Sequence, residues 1–165
     1  MPDERQDEPE DLDHPPAFFP YDEENGEVVE VSPGEPVECQ VEAVFAAQSG
    51  DTVQKFVLLT DGQRKLPIVI GGYEATAITF ALENQQPDRP MTHDLFAKVL
   101  ERLNVDVEKV LIDDLMGATY YAKIFMTSDG EELIVDSRPS DALALAVRVG
   151  CPIYVAEGIL EAHDQ

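Results

Sequence analysis

Two stretches of the chain set an arginine, a proline, a hydroxyl and an aspartate in the same order. The first is Asp136-Ser137-Arg138-Pro139-Ser140-Asp141 and the second is Arg89-Pro90-Met91-Thr92-His93-Asp94. Each stands where a helix is expected to begin, so backbone N–H groups and the positive end of a helix dipole favour an anion there. Arg138 and Arg89 have the planar fork that grips phosphate. Asp136 and Asp141 offer carboxylates to a divalent metal. His93, the one histidine between residues 37 and 160, has the ordinary titration range of a general acid or base. Carboxylates, a cation and a proton carrier are the parts that metal-assisted phosphodiester hydrolysis needs. The same residues also have a purely structural reading. Ser140 and Thr92 then cap helices, Asp141 answers a helix dipole, Arg138 pairs with Asp136, and His93 sits exposed in a first turn.

Two further segments carry chemistry. Gly71-Gly72-Tyr73-Glu74 leads from an apolar run into a helix. The glycines permit close approach of backbone, and Glu74 is a further metal ligand or a dipole-matching acid. The lysine and hydroxyl of a phosphate loop are absent. Asp113-Asp114 precedes a turn and Thr119-Tyr120-Tyr121 follows it. Adjacent tyrosines on a strand point to opposite faces. Tyr120 falls in the row of Ala122, Ile124 and Met126, which leaves Tyr121 to stack on a base.

The elements that must hold these residues are readable from hydrophobic period. Val37, Cys39, Val41, Ala43 and Phe45 alternate with polar residues as a strand does. Strands follow at Thr52 to Thr60 and Leu66 to Ile70, and a helix at Tyr73 to Glu83. A helix after Thr92 shows Leu95, Phe96, Val99, Leu100 and Leu103 at helical spacing. Strands are then expected at Val105 to Asp113, Ala118 to Thr127 and Glu131 to Asp136. A helix from Asp141 to Val149 is apolar almost all round and therefore central, and Gly150 ends it. A short strand, Pro152 to Val155, and a last helical turn from Glu157 to Ala162 complete the chain. The class is α+β: a mostly antiparallel mixed sheet with three main helices, arranged as two β-β-β-α units at 37 to 83 and 105 to 149.

Taken in order, these segments resemble the bifunctional nuclease domain family. The resemblance rests on Leu66-Pro67-Ile68 with Glu74-Ala75, Arg89-Pro90 with Thr92-His93-Asp94-Leu95, Asp114-Leu115 with Thr119-Tyr120-Tyr121-Ala122, and Asp136-Ser137-Arg138-Pro139-Ser140-Asp141-Ala142-Leu143-Ala144-Leu145-Ala146 with Pro152-Ile153-Tyr154-Val155. It runs from about residue 37 to 160. It implies RNase and DNase activity, as described for plant members, on a nucleic acid substrate. The motif positions it carries over are Glu74, Arg89, His93, Asp94, Asp113, Asp136, Arg138 and Asp141. From these we expect His93, Asp136 and Asp141 in catalysis, Arg89, Arg138 and Tyr121 on substrate, and Glu74, Asp136 and Asp141 on a divalent metal (Mg, Mn or Ca). The alternatives are a non-enzymatic binding or assembly domain, or a small-anion or nucleotide-binding domain.

Composition sets the remaining limits. The chain holds 34 acidic and 11 basic residues for a net charge of −23. Residues 1–36 carry 13 of the acids and one base, Arg5, with few large apolar side chains, and are expected to be a disordered acidic tail. The exception is the aromatic patch Pro15 to Tyr21, which is suited to docking on the domain or on a partner. The domain proper, 37–165, is also acidic, with 21 acids against 10 bases, as in proteins adapted to a high-salt cytoplasm. Such a charge disfavours sequence-independent nucleic-acid binding by broad counterion release, so any nuclease activity must depend on a local site. Two cysteines in separate elements and no long apolar run fit a reducing cytoplasm and no membrane span. Edge strands and hairpins suit a homo-oligomer, most simply a dimer.

Overall fold

The computed structural model describes residues 33–164. The expectation of a disordered tail concerns residues that lie, up to Ser32, outside that range. The elements run β1 (Pro36–Ser49), β2 (Thr52–Thr60), β3 (Lys65–Ile70), α1 (Gly72–Leu82), α2 (Thr92–Arg102), β4 (Val105–Met116), β5 (Thr119–Ser128), β6 (Glu131–Ser137), α3 (Pro139–Val149), β7 (Ile153–Ala156) and α4 (Glu157–Asp164). The fold is α+β, as expected. Four helices are present among the described residues where three main ones were expected. The last is α4, a full eight-residue helix that buries Ile159 and Leu160.

All seven strands form one sheet in the order β3-β2-β1-β7-β4-β5-β6. Each half is an antiparallel meander that runs into a helix: β1-β2-β3-α1 and β4-β5-β6-α3. The short strand β7 joins them. It pairs antiparallel with β1, Val37 opposite Val155, and parallel with β4, Ile112 opposite Val155. β1 and β4 therefore run antiparallel to each other on either side of β7, so the repeated units face one another across it. β1 is long enough to serve both halves: Pro36 to Cys39 pair with β7, and Gln40 to Ser49 with β2. A bulge between Val41 and Ala43 lets the strand bend between these two tasks.

Alternation decides which face of the sheet is covered. Val57 and Leu59 of β2, Val110 and Ile112 of β4, and Ala122, Ile124 and Met126 of β5 are buried. α1 packs on β1, β2 and α3, while α3 packs on β4 and β5. α3 lies at the centre because its sequence gives it no polar stripe after its first turn: Ala142 to Ala146 are all buried. Gly150 then ends the helix in the left-handed conformation, φ 74°, with its N–H on Ala146 O at 2.8 Å.

The helix starts differ from expectation. Ser140 does not cap α3, because Pro139 is its first residue. Proline suits that position and holds the residue before it extended, so Arg138 takes the cap at φ −68°, ψ 143°. Ser140 is instead buried in the first turn. Likewise Met91, not Thr92, precedes α2, and the Asp94 carboxylate accepts the Met91 N–H at 2.9 Å in place of a hydroxyl cap.

Candidate functional site

α1, α2 and α3 each carry an acid as their third residue: Glu74, Asp94 and Asp141. At that position a side chain reaches back over the helix start and gains from the dipole. The fold brings the three helix starts close: Arg138 ties Glu74 to Asp141, and Arg148 ties Asp94 to α3.

Asp94 fastens α2 to α3. Besides the Met91 N–H it accepts Arg148 Nε at 2.7 Å, and Arg148 Nη1 donates to Ala144 O at 2.9 Å. Partial burial pushes the Asp94 carboxyl up, but the Arg148 guanidinium and the Met91 N–H outweigh it and leave the carboxyl below its ordinary value. This anchor sets the neighbouring His93, whose side chain is 13% exposed, with Nε2 at 2.8 Å from Asp141 Oδ1. The other oxygen of Asp141, Oδ2, accepts Arg138 Nε at 2.8 Å. Arg138 Nη1 reaches across to Glu74 Oε1 at 3.0 Å. The result is a continuous row, His93–Asp141–Arg138–Glu74, with side chains from the starts of three helices.

Electrostatics within the row are mutually reinforcing. Burial raises the Asp141 carboxyl, yet hydrogen bonds and charge from Arg138 and His93 prevail and hold it below normal. Asp141 first, and Glu74 after it, raise Arg138 and keep it charged. Arg138 is 66% exposed, and only Nε and Nη1 are engaged by the two acids. Its Nη2 hydrogens remain to meet an anion.

Arg138, Ser140 and Glu74 line a cleft of about 570 Å³. Pro67 to Ile70 of β3 and Gly71 form one side of it, and the β4–β5 hairpin, with Leu115 and Tyr120, forms the other. Three of the four sequence segments thus meet in one cleft. The fourth, Thr92-His93-Asp94, reaches it through the bond from His93 to Asp141.

The remaining expected residues lie elsewhere. Asp136 pairs in register with Lys123, which sits between the buried Ala122 and Ile124 and so faces away from α3. Lys123 in turn pairs with Asp113. Asp136 therefore lies on the other face of the sheet from the start of α3, and does not join Asp141 as a shared ligand. Arg89 is exposed ahead of α2, has no ion pair among the described residues and is not part of the cleft wall. Tyr121 stands opposite Asp114 on the uncovered face, while Tyr120 is the tyrosine at the cleft.

A metal held jointly by Glu74, Asp136 and Asp141 does not fit this placement. The Arg138 guanidinium spans Glu74 and Asp141 and supplies their positive partner. Among the described residues no group of three or more His, Cys, Asp or Glu side chains is arranged to hold a metal ion.

Sequence reasoning missed Arg148, and it placed neither Gly71 nor Tyr120 among the site residues. A Cβ on Gly71 would overlap the Glu74 carboxylate, so this glycine leaves room for Glu74 to fold back toward Arg138. Nothing in the local pattern links Arg148 to Asp94, 54 residues earlier. Both cysteines are free, and no helix among the described residues is long and apolar enough to cross a membrane.

The architecture is thus an α+β domain whose helix starts converge on a cleft with a cation at its mouth. The sequence profile of the bifunctional nuclease domain matches residues 57–165, and the chain belongs to that family. The match begins inside β2, although β1 is central to the sheet. Among curated proteins the chain is similar to an uncharacterized protein of Mycobacterium tuberculosis, 42% identical over 100 residues that cover 61% of this chain and 59% of that protein. It is also similar to Bifunctional nuclease 2 of Oryza sativa subsp. japonica, 30% identical over 101 residues, 59% of this chain and 31% of the rice protein. For Bifunctional nuclease 1 of Arabidopsis thaliana the identity is 29% over 93 residues, 54% of this chain and 29% of that protein. The chain spans less than two thirds of the length of each of these relatives.

Proposed function

We propose that the domain hydrolyses phosphodiester bonds in RNA or DNA at the His93–Asp141–Arg138–Glu74 row. The observation that carries this reading is the double use of Asp141, which holds a histidine on one oxygen and an exposed arginine on the other. A carboxylate only accepts, so Asp141 fixes a proton on His93 Nε2 and leaves the Nδ1 lone pair to take a proton from the attacking water. The water oxygen bonds to phosphorus as the P–O bond to the leaving oxygen breaks, and solvent protonates that oxygen. Arg138 Nη2 meets the charge that grows on the phosphoryl oxygens. Ser140 and the N-termini of α1 and α3 supply neutral donors beside it. Family membership and the names of the plant relatives support the substrate class.

The test is cleavage of single-stranded RNA and DNA by the full chain, read on gels. It is run at low and multimolar potassium chloride, with chelator or with magnesium, manganese or calcium. His93→Gln and Arg138→Ala are expected to lower the rate by about 10² to 10⁴ with unchanged folding, the scale of a lost acid–base or charge-stabilising group. Cleavage that survives both substitutions would place the chemistry elsewhere. Comparison of the chelator and metal arms shows whether a cation is required.

A second reading, a small-anion or nucleotide site, is favoured by the size of the cleft, which suits one small ligand. Phosphates and nucleotides that raise the melting temperature of the wild type but not of Arg138→Ala, with no cleavage under any condition, would support it.

A further inference from the structure

The cations of this acidic domain are largely committed. Arg64, Lys65, Lys123, Arg138 and Arg148 each pair with carboxylates. Lys109 lies over the ring of Phe125 at 4.7 Å and near that of Tyr154. Among the described residues Lys55, Arg89, Lys98 and Arg102 have no carboxylate partner. Three of these four lie on α2 or just before it.

The same helix leaves an apolar row in solvent. Leu95, Val99 and Leu103, spaced four apart, are 56%, 44% and 65% exposed. Phe96, Ala97 and Leu100 turn inward and attach the helix to the core. At 100° per residue, Lys98 and Arg102 form a second row directly beside the apolar one, and Glu101 falls beyond it. An exposed apolar stripe edged by unpaired cations, in a chain of net charge −23, calls for a partner both apolar and acidic.

The chain itself contains such a segment. Phe18, Phe19 and Tyr21 stand within Pro15–Tyr21, and Asp22, Glu23 and Glu24 follow directly. We propose that residues 15–24 dock on the exposed face of α2, with the aromatic rings on Leu95, Val99 and Leu103 and the acids against Lys98 and Arg102. Each side offers three large apolar groups and a cluster of charge, of opposite sign on the two sides. The eight residues between Glu24 and Pro33 extend to about 30 Å, at roughly 3.5 Å per residue, which approaches the diameter of a domain of this size. A tether of that kind gives an effective concentration on the order of millimolar, so weak contacts suffice. A nucleic acid strand is the poorer occupant, since the exposed row holds no aromatic ring on which a base could stack.

The chain has no tryptophan, so Tyr21→Trp in the full-length protein is a unique reporter. The expected result is blue-shifted emission and acrylamide quenching several-fold weaker than in the same protein carrying Lys98→Glu and Arg102→Glu, or Leu95→Ser and Val99→Ser. These four side chains are exposed, so the variants keep their fold, and thermal melts check this. Quenching equal to that of free indole in every variant overturns the proposal. So does protection that grows with protein concentration, which would point to a second copy of the chain. Protection that appears only when single-stranded RNA is added also overturns it. None of these readouts depends on cleavage.

Discussion

His93 and Asp141, 48 residues apart in the chain, meet at 2.8 Å between Nε2 and Oδ1. The contact joins the first turn of α2 to the first turn of α3. Because Arg138 takes the other oxygen, one carboxylate sets the position of both a proton carrier and a cation. Removal of either partner leaves a partly buried polar group unpaired, at a cost of about 1 to 3 kcal/mol. His93→Ala and Asp141→Ala should each destabilise the domain on that scale in urea titrations. Their double-mutant cycle should show a coupling of roughly 0.5 to 3 kcal/mol. A coupling near zero would mean that the two side chains act independently.

The depressed carboxyl of Asp141 has a definite pH signature. Its stabilisation is complete above the unfolded carboxyl value of about 3.9 and is lost as pH falls through the lower folded value. The stability gap between wild type and Asp141→Asn should remain open at pH 5 and close as pH drops below about 4. Denaturant titrations across that range check the sign. A gap that widens in acid would contradict it.

Gly71 should govern the Glu74 arm of the row. In Gly71→Ala the new methyl displaces the Glu74 carboxylate from its place toward Arg138. The Glu74–Arg138 pair is well exposed on the arginine side, so it contributes only about 0.2 to 1 kcal/mol. The expected outcome is therefore a small loss of stability and a Glu74–Arg138 coupling that vanishes in the Gly71→Ala background. An unchanged coupling would show that Glu74 adjusts without leaving Arg138.

Burial pushes the thiols of Cys39 and Cys151 up to about 11, and the nearby Asp61 charge adds to the effect at Cys39. At pH 8 the thiolate fraction falls to about one hundredth of that of a thiol at its ordinary value of 9.0. Reaction of both cysteines with a disulfide reagent should be slow in the folded protein and about 100-fold faster in urea. Fast modification of the native chain would speak against these environments.

The excess of acids in the domain is expected to make salt stabilising. Screening reduces repulsion among carboxylates, most strongly where the Debye length shrinks to a few ångströms. Melting temperature should rise from low to multimolar potassium chloride, and more for the wild type than for variants in which exposed acids such as Glu131 and Glu132 become glutamine.

Much of the architecture was legible in local pattern. Alternation marked β1, β2 and β5, helical spacing marked α2, and the apolar run Ala142–Ala146 announced a central helix. The β-β-β-α repeat and the ordered motifs that identify the family also came from sequence, as did acids in the first turn of three helices. The limits of that reading are physical. In β6, Leu133, Ile134 and Val135 are consecutive apolar residues, so no alternation revealed which face Asp136 takes. Only its register against Lys123 settled that, and it separated Asp136 from Asp141. For Tyr120, the period gave the correct face, but only the closeness of β3 to the β4–β5 hairpin turned that end of the face into a cleft wall. Pairing of β7 with both β1 and β4, the packing of α2 on α3 and the bonds Asp94–Arg148 and His93–Asp141 depend on contacts remote in sequence. Local chemistry determines which side chains can act and the face each element presents. Long-range packing alone determines which of them meet: Glu74, His93, Arg138 and Asp141 do, and Asp136 does not.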